Sequence, residues 1–337
     1  MAKTNLTTKS QFSQVSVREI DFVTRFARNW NALREILGIM RPIKKSPGTK
    51  LVSYTATVTL QSGNVGEGEE IPYSLASVTP VAYGDITVEK YAKAVSIEAV
   101  EKYGAAVAVQ KTDDQFLIEL QNKVLSAFYT FLATGSLVSG VTTWQAALAT
   151  AHGNVLEHFA GMDRDVTSVV GFANILDAYE YLAAANVTIQ TKYGINYIKD
   201  FMGYGTLILL PNKYIARGKV IATPVENIDL YYIDPGDSDF AKLGLNYTVD
   251  GETNLIGFHA QGNYNTAVGE IFALMGMTLW AEYLSGIAVV TIGTYSTVES
   301  PSGNPKTKGY YEKVGIQYVP TADTTVTANK DYYELTA

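Results

Sequence analysis

The sequence predicts an α+β fold, and three features carry that prediction. Residues 112–134, TDDQFLIELQNKVLSAFYTFLAT, have the spacing of one long amphipathic helix. Residues 52–61 alternate apolar and polar side chains, the period of a strand with one face buried. After the helix come short β-rich runs, VTSVVGF, TLILLP, KVIATP and NIDLYYID, with a helical stretch among them. The long helix is the part the rest is arranged around. Phe116, Leu120, Val124, Phe128 and Leu132 recur at every fourth position, and Leu117, Ala127 and Phe131 broaden the stripe. Phe116, Leu120, Val124 and Phe128 are therefore expected as its core face. Thr112 or Asp113 is placed to cap the start, Asp113 and Asp114 suit the positive end of the helix dipole, and Gly135 suits a left-handed stop. Such a helix is roughly 35 Å long, a spine between two halves of the chain.

The other elements follow in order. Residues 1–15 are polar and read as an extended arm. Ser16 and Glu19 form a capping box, and Phe22, Phe26, Trp30, Leu33 and Leu37 mark one face of a helix that Gly38 stops. A basic turn, RPIKKSPG, leads into the alternating strand Val52, Tyr54, Ala56, Val58, Leu60. The tip SGNVGEGEE is acidic, and residues 71–83 return along a path interrupted by Pro72 and Pro80, which suits an exposed edge or a free-standing ribbon. A long two-stranded hairpin is marginal alone and makes sense if another subunit supports it. Residues 84–96 read as a further strand and EAVEKYG as a short helix before the spine. Thr142 or Thr143 opens a helix to about Phe159, and Asn174 caps another that Asn186 closes. LIGFHAQGNY is a strand. The apolar segment Ile271–Ile292 holds Glu282, Gly276 and Gly286, and is expected as a buried hairpin, or a helix followed by a strand, not as a membrane span. VESPSGNPKTKG is a linker by composition, and two or three strands follow in a small module with Tyr310, Tyr311, Tyr318, Tyr332 and Tyr333.

Composition narrows the functional classes. The chain has 337 residues, 47% of them hydrophobic, enough for a sizeable core in about two domains. Its net charge is −7 and no Lys/Arg run exceeds two, which argues against a duplex-binding face. Weak, sequence-independent contact with nucleic acid through Lys3, Lys9, Arg18, Arg25 and Arg28 is the most expected. Cysteine is absent, so disulfides and thiolate chemistry are excluded. The N-terminus lacks the apolar run of a signal peptide. His152 and His158 are off one helical face and His259 lies far away; no HExxH, GxSxG or P-loop is present. No catalytic, cofactor or metal site is therefore expected, and no enzyme. Glu67, Glu69 and Glu70 at the hairpin tip, with Arg41, Lys44 and Lys45 at its base, form opposite charge clusters suited to contact between neighbouring subunits.

This order of parts resembles the major capsid protein of tailed bacteriophages, the fold of the Hong Kong ninety-seven type. The phrases VTPVAYGDITVEKYAKAVSIEAVEKYG, ENIDLYYIDPGDSDFAKLGLNYTVDGETNLIGFHAQGNYNTAV and LWAEYLSGIAVVTI resemble those of capsid proteins from phages of Gram-positive hosts, over roughly residues 15–293. The resemblance implies an N-terminal arm and helix (1–43), an extended loop on a neighbouring subunit (44–83), a peripheral domain with the spine (84–135 and 254–293), an axial domain (136–253), and a linker and C-terminal β appendage (294–337). It implies a structural protein that self-assembles as hexamers and pentamers into an icosahedral shell around double-stranded DNA, with a portal and no membrane, built in the host cytoplasm and ending in the virion. A cellular encapsulin-like shell that houses cargo is the alternative. No room is left ahead of the first helix for the long N-terminal assembly domain of some members, so a separate scaffolding protein is expected. Lys50 and Asn64 do not match the family's Lys–Asn crosslinking motif, so no covalent crosslink is expected. The appendage is expected to face outward, to lean on the shell or on a neighbouring copy, and to be dispensable for assembly.

Overall fold

A computed structural model describes residues 43–46, 49–104, 106–182, 189–192, 195–237, 240, 242, 244–249 and 254–336. The arm, the expected Ser16–Glu19 helix, Arg41, the five basic residues of the arm and Asn186 lie outside them.

Strand β1 (Ile43–Lys44) leads to a hairpin of β2 (Lys50–Thr59) and β3 (Leu75–Asp85), then to β4 (Glu89–Ser96). Ser96 Oγ accepts from Ala99 N at 3.3 Å and caps α1 (Ile97–Tyr103), which Gly104 closes at φ 78°. A π-helical turn over Ala106–Lys111 runs directly into the spine α2 (Thr112–Leu132). After β5 (Leu137–Val141), Thr143 Oγ1 accepts from Ala146 N at 3.2 Å and starts α3 (Trp144–Ala160). Strand β6 (Val169–Asn174) ends on Asn174, whose Oδ1 accepts from Leu176 N at 2.9 Å at the head of α4 (Ile175–Leu182). Strands β7 (Gln190–Lys192), β8 (Ile195–Phe201), β9 (Tyr204–Leu210), β10 (Lys219–Pro224) and β11 (Ile228–Ile233) follow, then β12 (Ile256–Asn263), β13 (Val268–Ala281), β14 (Ala288–Ile292) and β15 (Thr294–Thr297). The chain closes with α5 (Pro305–Lys308), β16 (Tyr311–Val314), β17 (Gln317–Pro320) and β18 (Tyr333–Thr336).

The fold is α+β, with hairpin, strand, spine helix, mixed α/β region and returning strands in the expected order. One sheet runs β1-β11-β13-β12, with β4 also on β13; a second, of eleven strands, runs β15-β18-β16-β17-β5-β14-β10-β6-β9-β8-β7. The spine packs on β13, and its Leu117, Leu120, Val124, Phe128, Tyr129 and Leu132 join one core with Ile271, Ala273, Met275, Met277 and Leu279 of that strand. The same core takes in Val170, Phe172, Ile208, Ile221 and Val289 from one face of the large sheet. The other face of that sheet, with Val169, Ala173, Leu207, Leu209, Val220 and Val290, packs with Leu148, Ala151 and Val155 of α3 in a second core. A sheet covered on both faces needs apolar side chains at consecutive positions, which is why VTSVVGF and TLILLP read as unbroken apolar runs.

Several expectations need correction. Of the four spine residues singled out, Leu120, Val124 and Phe128 are buried, but Phe116 is half-buried against the core and Ala127 is exposed. Leu117 is buried, as expected of the broadened stripe, and Tyr129, which was not expected there, is buried with it. Neither Thr112 nor Asp113 caps the helix, because the π-helical turn already supplies acceptors ahead of it: Thr112 Oγ1 donates to the Ala108 carbonyl at 2.8 Å. Asp113 is buried in an ion pair with Lys93 of β4 at 2.5 Å. The helix ends at Ala133 in ordinary helical conformation, and Gly135 is not left-handed; it is required because a Cβ there would lie 2.6 Å from the Ile287 carbonyl.

Residues 84–96 do not form one strand: Gly84 and Asp85 end β3, and β4 starts at Glu89. Ile271–Ile292 is neither a hairpin nor a helix with a strand. It is β13 and β14, joined by a 3-10 turn at Leu284–Gly286 and assigned to different sheets. No helix among the described residues is long and apolar enough to cross a membrane. NIDLYYID forms a strand as expected, β11, and pairs with β13.

The C-terminal segment leans on its own chain. Strand β17 meets β5 at Tyr318↔Gly140, and Asn154 Nδ2 of α3 donates to Gln317 Oε1 at 3.3 Å while Gln317 Nε2 donates back to Asn154 Oδ1 at 3.2 Å. Tyr295 stacks on Tyr318 at 4.2 Å and covers Gly140 so closely that a Cβ there would fall 1.8 Å from the Tyr295 hydroxyl. Tyr318 and Tyr332 are buried, so they build the module's core and do not form an open aromatic platform.

Phe128 is 1% exposed, with Phe172 edge-on at 6.1 Å. Phe128→Ala is expected to destabilise the protein by about 3–5 kcal/mol, and Phe116→Ala by clearly less, as read from denaturant unfolding.

Candidate assembly interface

The candidate site is the ribbon of β2 and β3. It forms a two-stranded sheet of its own and pairs with no other strand among the described residues. The register places Tyr54 opposite Pro80, Ala56 opposite Val78 and Val58 opposite Ala76; the alternate pairs are Thr55 with Thr79, Thr57 with Ser77 and Thr59 with Leu75. Residues directly opposite one another in an antiparallel pair share a face, and faces alternate along the strand. The ribbon is therefore two-sided, with one face of Tyr54, Ala56, Val58, Ala76, Val78 and Pro80 and another rich in hydroxyl residues. Nothing in the described chain covers the apolar face: Tyr54 is 64% exposed, Val58 57% and Val78 60%. Toward the tip Leu60, Ile71, Tyr73 and Leu75 are still more open. A contiguous apolar surface of this kind marks an interaction surface.

The base of the ribbon is anchored within the chain. Lys45 N donates to the Tyr232 carbonyl at 2.8 Å and Ile86 N to the Thr49 carbonyl at 3.1 Å. Lys44 Nζ reaches Asp234 at 2.9 Å and Asp237 at 3.3 Å. The hydrogen bond that Lys44 donates to Asp234 holds its ammonium above its ordinary pKa, against the smaller cost of burial. Lys45 Nζ lies 5.3 Å from the Tyr231 ring centre. Of the expected contact residues, Lys44 and Lys45 thus have partners in their own chain. Glu67, Glu69 and Glu70 are exposed at the far end, with Glu69 Oε2 accepting from Gly66 N at 3.0 Å. At about 3.3 Å per residue the ten-residue β2 separates the two clusters by roughly 30 Å. The alternation from Val52 to Leu60 is the sequence signal of this apolar face.

A second charged cluster lies in the C-terminal module. Lys330 Nζ bridges Glu312 at 2.9 Å and Asp323 at 2.8 Å, and the buried Tyr332 donates its hydroxyl to Asp323 at 2.6 Å. Its hydrogen bond from Lys330 holds the Asp323 carboxyl below the usual range. His152 Nε2 sits 3.1 Å from the Gly203 carbonyl and His158 Nε2 3.1 Å from Ser285 Oγ, so these rings serve separate local contacts. Among the described residues no three His, Asp or Glu side chains are placed to hold a metal.

Comparison with known proteins gives a likeness of structure alone. No family model matches the chain, and no curated protein matches it. The chain is similar to a virus-like particle protein from Pyrococcus furiosus, at 12% identity and TM-score 0.45, over 80% of this chain and 97% of that one. It is similar to a chain of the Cyanophage A-1(L) capsid asymmetric unit, at 13% identity and TM-score 0.49, over 74% and 89%. A third likeness is to an encapsulin complex from Synechococcus elongatus, at 11% identity and TM-score 0.44, over 77% and 86%. At these values they carry no argument about what this chain binds or encloses.

Two outcomes are expected from this geometry. A Tyr54→Asp, Val78→Asp double variant should leave the circular dichroism unchanged, because both side chains are exposed, while sedimentation shows assembly reduced at least tenfold; full assembly would contradict an interface on that face. The C-terminal clamp should depend on acid. A carboxyl whose folded pKa is depressed contributes stability above its unfolded value, near pH 4, and loses it as pH falls through the folded value. Protease cleavage within residues 321–332 should therefore rise below about pH 4, and Asp323→Asn should raise cleavage at neutral pH and flatten that dependence.

Proposed function

We propose that this chain is the structural major capsid protein of a tailed bacteriophage of a Gram-positive host, and that it has no enzymatic role. The observation that carries the proposal is the open ribbon. It spends 21 strand residues on a sheet that is marginal at best by its own pairing, and its apolar face is uncovered among the described residues. A self-assembling shell resolves both, since each ribbon lies on a neighbouring copy and each copy receives one. The order of parts and the capsid-like phrases of residues 78–104, 226–268 and 279–292 support the same reading.

In this reading the copies form hexamers and pentamers, a separate scaffolding protein sets curvature, a portal occupies one vertex, and double-stranded DNA fills the interior with non-specific contacts. Assembly takes place in the host cytoplasm and the product is the virion head.

Electron microscopy of the purified chain tests this directly. Expressed alone it should give shells that are aberrant or polydisperse, and uniform closed particles when the scaffolding protein is supplied. A protein that stays monomeric under both conditions overturns the reading, and uniform shells from the lone chain remove the scaffold from it. Shells that carry a cellular enzyme in place of DNA would assign the chain to a cargo compartment.

A further inference from the structure

The ribbon leaves the body on two legs, and the chain holds each in a different way. The returning leg ends at Ile86, which is 1% exposed and packs on Ile233 of β11, with Phe131 of the spine, Val88, Tyr231 and Phe240 around the pair. Ile86 N also donates to the Thr49 carbonyl at 3.1 Å, which ties this leg to the entering one. The entering leg has little apolar support. Its strand β1 is two residues long, pairing Ile43 with Tyr231 and Lys44 with Tyr232. So short a parallel ladder is weak, and the side-chain link beside it decides whether the leg stays seated. Lys44 supplies that link. Its Nζ donates to Asp234 Oδ2 at 2.9 Å and lies 3.3 Å from Asp237 Oδ2. Asp234 is buried and fixed in place: Oδ1 accepts from Gly236 N at 2.9 Å, and Oδ2 also accepts from Asn254 Nδ2 at 3.3 Å. A charge-assisted bond to a carboxylate held this way is strong and directional. The Lys44 side chain is half open to solvent, so this leg can detach without opening a core, and Ile86 cannot.

We infer that the Lys44–Asp234 pair is a latch that sets the direction of the ribbon. With both legs held, the ribbon is pinned at two points and points one way. With Lys44 released, it pivots about the Ile86 socket. A ribbon already held in one direction loses less freedom when a neighbouring copy arrives, so the closed latch favours assembly. The inference rests on the ribbon as the contact between copies. Its direction is read on the dissociated chain, so the failure of the latch and the failure of that contact give separate results.

The chain has no cysteine, so spin labels can be placed at single engineered cysteines. Thr57→Cys on the ribbon and Thr130→Cys on the spine, both at exposed positions, report the ribbon's direction by double electron–electron resonance on the dissociated full-length chain. The labelled parent should give a narrow distance distribution. Lys44→Met and Asp234→Asn should each widen it at least twofold, and Lys44→Arg should keep it narrow. Assembly read by sedimentation should fall at least fivefold in the two widened variants. Asn keeps an acceptor for Gly236 N, so Asp234→Asn leaves the test readable if Lys44→Met fails to fold. A broad distribution in the parent, or an unchanged width in a folded variant, overturns the latch. Widening with undiminished assembly overturns its role in bringing copies together.

Discussion

The packing of the spine helix between two sheets is the contact on which the rest of the fold depends. From one side it meets β13, the long strand that organises the smaller sheet; from the other, Phe128 and Tyr129 reach Phe172 of the large sheet at 6.1 and 5.7 Å. Tyr129 also lies 5.1 Å from Tyr214. One helix therefore closes a core that neither sheet could close alone. The Lys93–Asp113 pair ties the head of the helix to β4. A buried ion pair contributes little net stability, yet loss of either partner leaves a charge stranded. Its effect is to fix the position of the helix along the sheet.

The ribbon is the opposite case, a segment that the packing of the described residues does not complete. It is held at the base by Lys44, Lys45 and Thr49 contacts and runs outward with its apolar face uncovered. Local pairing fixes its shape and its register but not its stability. That division suits an element whose final environment is another molecule: the backbone geometry is set in advance, and the apolar burial follows when a neighbour arrives. In the proposed contact, the clusters at its ends, one already paired within the chain and one exposed, would count for less than the surface between them, because exposed ion pairs contribute only about 0–1 kcal/mol each.

Much of this was legible in the sequence where the signal is local. The fourfold spacing from Leu120 to Phe128 located the spine, the alternation from Val52 to Leu60 located the ribbon, and Thr143 and Asn174 marked helix starts correctly. What was not legible is non-local. Asp113 looked like a capping or dipole residue because its partner, Lys93, is twenty positions earlier on another element. Gly135 looked like a helix stop, whereas its reason is the Ile287 carbonyl. The run from Ile271 to Ile292 could not be divided between two sheets, since strands buried on both faces lose the alternation that would identify them. The C-terminal module looked separate because its linker composition is local, while the Tyr318–Gly140 and Gln317–Asn154 contacts that join it to β5 and α3 are not.

Hydrogen exchange over residues 50–85, compared between the assembled and the dissociated protein, tests the central claim most directly. If the ribbon is completed by a neighbouring copy, its amides should exchange rapidly in the dissociated chain and at least tenfold more slowly in the assembly, with the spine protected in both. Equal exchange of the ribbon in the two states would contradict it.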